Sequence, residues 1–213
     1  MRSGQTTVLC AVTITENVPP WLLGQNQAWL TAEYSMLPGS TRNRKAREAR
    51  TGRADGRSQE IQRLIGRALR SVVDLHLLPE ITFWVDCDVL DADGGTRTAS
   101  INGACIALFD ALNGLRNAGR IKSIPMRSLV SAVSVGIVDG QVLVDLDYRE
   151  DSAANMDLNV VCAADGHLVE VQGSAEGRPI PPEDFDELLR GARRACEAVR
   201  ERQRRELGIL SPP

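Results

Sequence analysis

An α+β fold, with mixed sheets backed by helices, is what this chain predicts, on three observations. Strand-like and helix-like segments are interleaved with hairpins rather than alternating one for one. Two stretches, around Asp139-Gly140 and Asp165-Gly166, place a hairpin turn signal between runs of strand-forming residues. Two other segments repeat apolar residues at offsets of three and four, the helical spacing. With 213 residues, 43% of them hydrophobic, the chain can bury a sizeable core, and a single domain over 1–213 is expected.

Taken in order, Thr6 to Ile14, "TTVLCAVTI", reads as a strand rich in β-branched residues, stopped by "NVPP". Trp29 to Leu37 is a second strand. The polar stretch "PGSTRNRKAREARTGRADGR" follows as a loop with some nascent helix. Gln59 to Leu75 carries Ile61, Leu64, Ile65, Ala68, Leu69 and Val72 on one face and Arg63, Arg67 and Arg70 on the other, an amphipathic helix. Ile81 to Leu90 is an almost continuously apolar strand with Asp86 and Asp88 on one face; these two read as structural. Ser100 to Leu115 is a helix with Ile101, Cys105, Leu108, Leu112 and Leu115 inward. Two hairpins follow, turning at Asp139-Gly140 and at Asp165-Gly166. Pro182 to Leu207 is a long charged helix whose acidic start and basic end suit its dipole.

Composition narrows the function classes. Apolar runs stop well short of the ~20 residues a bilayer span needs, so no membrane role is expected. No basic stretch followed by an apolar run opens the chain, so no secretion signal is expected. The five cysteines form no C-x-x-C pair and lie in apolar segments, which suits buried thiols in a reducing cytoplasm. Two distant histidines make a structural zinc site unexpected. The net charge of −3 hides an asymmetry: Arg42 to Arg70 holds ten basic residues against three acidic ones, and the rest holds fifteen against twenty-five. One concentrated basic segment on an acidic protein suits one surface that meets a polyanion rather than a general DNA coat.

The stretch "DADGGTRTAS", Asp91 to Ser100, joins a strand to a helix. Such a junction can aim several backbone N–H groups at one point, where the helix N-terminus adds partial positive charge. Gly94 and Gly95 allow close approach to the backbone, Thr96 and Thr98 offer hydroxyls, and Arg97 offers a planar fork for phosphate oxygens. The Walker A spacing is absent. On these grounds the junction is either a structural turn or an anion site. The cluster Asp145, Asp147, Glu150, Asp151 and Asp157 is likewise either a solvated hairpin end or a catalytic group.

The wording as a whole narrows this. "GRSQEIQRLIGRALRSVVDL", "VDCDVLDADGGTRTASINGACIAL", "DLDYREDSAANMDLNVV" and "VEVQGSAEG" occur in this order and closely resemble bacterial ribonuclease PH, over essentially Gly4 to Gln203. The resemblance implies a ribonuclease PH-type fold. It implies a phosphorolytic 3′–5′ exoribonuclease, a tRNA nucleotidyltransferase trimming tRNA precursors and other RNA, including rRNA. Inorganic phosphate, the co-substrate, would be bound by Arg57, Gly95, Thr96 and Arg97. Asp151 and Asp157 match the family's catalytic aspartates, as Mg²⁺ ligands or general acid/base, with Asp145 in support. The basic loop Arg42, Arg44, Lys45, Arg47, Arg50 and Arg53 would carry RNA, with Arg42, Arg44 and Arg47 touching it. It departs from the usual "PRSTHTRNAREA": Gly39 stands where the family has arginine, and Arg42 and Lys45 are additional.

A homohexameric ring, a trimer of dimers, is implied, as is a cytoplasmic location. Family chains carry a leading segment with a first strand before the equivalent of "SGQTTVLC"; either this start falls too late or the chain lacks that strand, and a missing strand would leave Thr6–Ile14 with an unpaired edge. The rival reading is an inactive RNA-binding ring subunit of an exosome-like assembly, against which the intact motif residues argue. A galactokinase-type small-molecule kinase lacks its ATP loop here.

Overall fold

The structure is a computed structural model, and it describes residues 1–47, 55–176 and 179–209. Arg50 and Arg53 of the basic loop lie outside the described residues. The expected α+β architecture is present as two four-stranded sheets and, among the described residues, four α-helices.

The first sheet holds β1 (Arg2–Ser3), β2 (Thr6–Thr15), β3 (Trp29–Met36) and β4 (Thr82–Asp91) in the order β1-β2-β4-β3. β2 runs antiparallel to β4, and β3 runs parallel to it. Two-residue β1 pairs with Thr6 and Thr7, and the Met1 backbone exchanges hydrogen bonds with Val8. Beyond Val8 the outer edge of β2 has no strand partner among the described residues. Alternation along β4 buries Phe83, Val85, Cys87 and Val89 and turns Trp84, Asp88 and Leu90 outward.

Helices α1 (Gly56–Arg70) and α2 (Thr96–Asn117) lie side by side on the inner face of this sheet, α1 chiefly on β3 and α2 chiefly on β2. The second sheet packs on the other side of α2 through β5 (Ser131–Val138), with β6 (Gln141–Val144), β7 (Met156–Cys162) and β8 (Leu168–Ala175) in the order β6-β5-β7-β8, all antiparallel. Short α3 (Tyr148–Ala153) sits between β6 and β7. α4 (Pro182–Glu206) covers the far face of that sheet, where Leu188, Ala192 and Cys196 join Val133, Val135 and Leu158 in a second core. Sandwiched between two sheets, α2 is buried on both sides, so its expected single stripe is only part of its buried surface: Ala99, Ser100, Asn102 and Ala104 are buried as well.

Asn102 donates to Ala132 O (2.8 Å) and accepts from Ala132 N (2.7 Å), fastening α2 to β5. Gln203 of α4 donates to Asn102 O (3.1 Å) and Val130 O (3.0 Å). A polar bridge therefore satisfies backbone groups where the layers meet.

Several helix boundaries differ from expectation. α1 starts at Gly56, after Asp55 in extended geometry at its N-cap, and ends at Arg70 rather than Leu75. It ends there because Val72 O accepts from Arg127 N (2.7 Å) and Val73 bridges to Met126, which pulls the chain into strand-like pairing. α2 starts at Thr96, not Ser100. The hairpin at Asp139-Gly140 has positive φ at both central residues (50° and 77°), the predicted type I′ turn. The second hairpin does not repeat it: a 3₁₀ turn, Ala164–Gly166, intervenes, and a register shift sits at Val161/Cys162. All five cysteines are free, four buried and Cys10 half-buried.

Candidate active site

The β4–α2 junction is built from close backbone approaches. Gly94 has φ 78°, and a Cβ there would stand 2.3 Å from Leu146 O and 2.9 Å from Asp147 Cα. The glycine thus docks the junction of the first sheet directly onto the chain leaving β6. Gly95 takes the N-cap position in left-handed geometry, φ 56°. Thr6 Oγ1 donates to Gly94 O (2.6 Å) and accepts from Asp93 N (2.8 Å), which fixes the entry to the turn. Thr98 Oγ1 donates to Gly95 O (2.8 Å), and Tyr34 Oη from β3 donates to Thr96 Oγ1 (2.9 Å) in the interior. Burial raises the pKa of the Tyr34 hydroxyl and keeps it a donor. Thr96 and Arg97 thus stand in the first turn of α2, not in a loop, because the left-handed glycine turns the chain and each threonine hydroxyl finds a partner.

A cavity of about 630 Å³ opens over this helix end. Arg57, Gly95, Thr96 and Arg97 line it, as do Asp151 and Asp157. Residues from α1, the α2 start, α3 and β7 therefore meet, and six of the residues picked from the sequence come together. Free N–H groups at the start of a 22-residue helix, with two guanidinium groups beside them, can hold a multivalent anion.

The acidic cluster divides into roles. Asp147 is the N-cap of α3, with Oδ1 accepting from Arg149 N and Glu150 N (2.8 Å each), while Glu150 Oε2 accepts from Asp147 N (2.9 Å). That capping box absorbs both residues. Asp145, with φ 62°, accepts from Ser3 Oγ (2.9 Å) beneath Gly95 and is not among the cavity-lining residues. Asp151 and Asp157 are left facing the cavity. Burial raises the Asp157 pKa, the Asp151 charge adds to this, and Arg97 opposes it. No third His, Cys, Asp or Glu joins them as a metal-holding group among the described residues. Two carboxylates are nevertheless what Mg²⁺ takes when substrate phosphates and water supply the rest, and repulsion between the pair is what a divalent cation relieves.

The basic segment is dispersed. Arg42, Arg44 and Arg47 are exposed and none lines the cavity; Arg47 borders a separate groove with Leu9, Met36 and Leu90 on the outer sheet face. Their loop nevertheless leaves the same end of the sheet as the junction, since β3 and β4 are parallel and Ala92 N donates to Ser40 O (2.8 Å). Arg67 is paired with Glu170, and Arg70 lies over Trp29 (5.1 Å) while donating to Leu30 O (2.9 Å). Sequence reasoning missed Tyr34, whose hydrogen bond spans 62 positions, and Gln172, which accepts from Arg97 Nη1 (3.3 Å). The period-two run "VEVQGS" was the signal available for the latter, because it sets Glu170, Gln172 and Ser174 on one side of β8. The D-x-x-E spacing of Asp147 and Glu150 was the signal for the cap.

A two-sheet α+β fold thus closes a cavity between its halves that is lined both by groups suited to an anion and by carboxylates. The sequence model of the 3′ exoribonuclease (RNase PH) family, domain 1, matches residues 1–112, and that of its domain 2 matches residues 128–195; the chain belongs to this family. Among solved structures, the Archaeoglobus fulgidus exosome with RNA bound to the active site is similar at TM-score 0.77 and 25% identity, over 94% of this chain and 80% of that one. Rice (Oryza sativa) Rrp46 is similar at 0.74 and 21%, over 97% and 86%. An archaeal exosome core is similar at 0.71 and 24%, over 94% and 78%.

Proposed function

We propose that this chain is a phosphorolytic 3′–5′ exoribonuclease of the ribonuclease PH type, a tRNA nucleotidyltransferase that trims tRNA precursors and rRNA in the cytoplasm. The observation that carries the reading is the convergence of Arg57, Gly95, Thr96 and Arg97 with Asp151 and Asp157 on one cavity. Family membership and the similarity to an exosome with RNA in its active site support RNA as the substrate. Inorganic phosphate is held by the arginines and the α2 N-terminus. One of its oxygens forms a bond to the phosphorus of the terminal phosphodiester, and the bond from that phosphorus to the preceding 3′ oxygen breaks. The 3′ oxygen takes a proton, and a nucleoside diphosphate leaves. Asp151 and Asp157 would hold Mg²⁺, whose chemistry there is neutralisation of two polyanions brought together. Arg42, Arg44 and Arg47 guide the RNA backbone. The protein acts as a homohexamer, a trimer of dimers; the exposed Leu9, Trp84 and Leu90 on the first sheet support an interface.

The test is to incubate the purified protein with a tRNA precursor, with and without phosphate, and to identify the nucleotide released. Diphosphates only in the presence of phosphate are expected. Monophosphates would mean hydrolysis, and no product with retained RNA binding would mean a scaffold subunit. Light scattering measures the oligomer.

A further inference from the structure

A chain of hydrogen bonds crosses from α1 through β8 to the start of α2. Arg67 Nε donates to Glu170 Oε2 (3.0 Å) and Arg67 Nη2 to Glu170 Oε1 (2.6 Å). Glu170 Oε1 also accepts from Gln172 Nε2 (2.9 Å), and Gln172 Oε1 accepts from Arg97 Nη1 (3.3 Å). The order of these hydrogen bonds is set by chemistry. An ionised carboxylate only accepts, a guanidinium only donates, and a carboxamide has one end of each kind. Glu170 therefore turns the NH₂ of Gln172 toward itself and leaves the amide oxygen for Arg97. The two ends of an amide are nearly the same size, so packing alone would not choose between them. With the amide reversed, NH₂ would meet guanidinium, two donors face to face. Arg67 keeps Glu170 in place through a fork-to-fork pair.

We infer that Arg67, Glu170 and Gln172 are positioning residues that hold the Arg97 guanidinium in its anion-binding orientation, an assignment that rests on the proposed phosphate site. Arg97 has another carboxylate within reach, Glu60 of α1, at 3.9 Å. Glu60 is the more exposed partner (54% against 17% for Arg97), so its pull is weak, and it draws toward α1 rather than β8. The relay opposes that pull. It also ties β8, in the second sheet, to both helices of the first layer, so the arginine is registered against the wall that carries Asp157.

The experiment uses inorganic phosphate as the probe and compares wild type, Gln172→Met, Glu170→Gln and the double variant. Calorimetry gives the phosphate Kd, and phosphorolysis of a tRNA precursor gives KM for phosphate and kcat. Methionine matches glutamine in length without the acceptor, and Glu170→Gln removes only the charge that orders the amide. Loss of one oriented hydrogen bond to an arginine is expected to raise Kd and KM together by about threefold to tenfold for Gln172→Met. kcat at saturating phosphate should fall by less than KM rises, and Glu170→Gln should give a smaller rise of the same kind. Because Glu170 acts through Gln172, the double variant should be no worse than Gln172→Met alone. An unchanged Kd in Gln172→Met, or additive effects in the double variant, overturns the relay. Wild type that binds phosphate without releasing diphosphates overturns the phosphorolytic reading, with the relay still judged on Kd. Wild type that binds no phosphate overturns both.

Discussion

The cationic wall of the cavity comes from one strand–helix junction, joined by Arg57 at the start of α1, and the junction is seated on buried partners: Thr96 and Thr98 are buried, Tyr34 stands behind Thr96, and Gly94 packs on backbone. The carboxylate wall is built otherwise. Asp151 rides on α3, a six-residue helix with no buried residue, held by a capping box. Asp157 sits half-buried in β7, placed by its register opposite Gly136 and Ser174. The difference teaches where each kind of damage should appear. Changes in the cationic wall disturb packing along with anion binding, whereas changes in the carboxylate wall disturb chemistry and leave the fold alone.

Asp157→Asn sharpens this contrast most. The amide keeps the shape and loses the charge, so turnover should fall by about 10²–10⁴-fold, the range for a lost acid/base or metal-holding group. Stability should move the other way. The folded pKa of Asp157 is raised, chiefly by burial. The folded state therefore binds its proton more tightly than the unfolded chain does, and stability falls as pH rises from the unfolded pKa through the folded one. Above the folded pKa that penalty is fully present, and asparagine removes it. Without divalent cations and above the folded pKa, Tm should rise slightly, and the gain should vanish in acid. A Tm that drops instead would make Asp157 a structural residue.

Gly94→Ala should break the other wall. Its Cβ meets a carbonyl oxygen at 2.3 Å, in a left-handed conformation, and neither neighbour is a flexible side-chain end. A cost of about 3 kcal/mol or more is expected, a fall of roughly 6–12 °C in Tm for a chain this size, with phosphate binding abolished. Gly140→Ala is the control: φ is 77° but nothing lies within 4 Å, so strain alone, about 1 kcal/mol, should remain. Equal unfolding temperatures for the two variants would refute the docking role of Gly94.

Arg97→Ala and Arg57→Ala test the anion seat without touching its backbone. Each removes a charged donor worth on the order of 1.5–3 kcal/mol, so KM for phosphate should rise roughly tenfold to a hundredfold. RNA affinity measured without phosphate should stay near wild type. Unchanged phosphate dependence in both variants would move the seat elsewhere.

Much of this was legible in the chain because it is local. Hairpin chemistry at Asp139-Gly140, the strand pattern of Thr82–Asp91 and the glycine junction each depend on residues a few positions apart. What stayed hidden depends on partners far away. The early end of α1 follows from pairing of Val73 with Met126, and the early start of α2, turned by the left-handed Gly95, is backed by Tyr34 reaching Thr96 from β3. The basic run Arg42 to Arg70 read as one polyanion surface, yet Arg67 is committed to Glu170 and Arg70 to Trp29 and Leu30. Charge counts along a sequence do not reveal which charges are already answered within the fold.

That leaves Arg42, Arg44 and Arg47 as exposed charges of the basic loop, and they test the smallest of these effects. They leave the first sheet at the same end as the phosphate junction, but they do not line the cavity. If they guide an RNA backbone, each phosphate they neutralise releases a counterion, and affinity should fall as salt rises. Arg44→Ala with Arg47→Ala should weaken RNA binding and flatten the plot of log affinity against log salt. The slope should change by up to about 0.7 for each phosphate no longer neutralised, the value for single strands. KM for phosphate should hardly change, because neither side chain reaches the anion seat. In a ring the loop would serve a neighbouring protomer's substrate, so dissociating the oligomer should reproduce the weakening for long RNA. The measurement is RNA affinity at several salt concentrations for wild type and the double variant. Parallel lines of equal affinity would mean that these arginines are solvated surface and that RNA enters by another path, whereas a flattened slope with unchanged phosphate KM would separate the route of the polymer from the seat of the small anion.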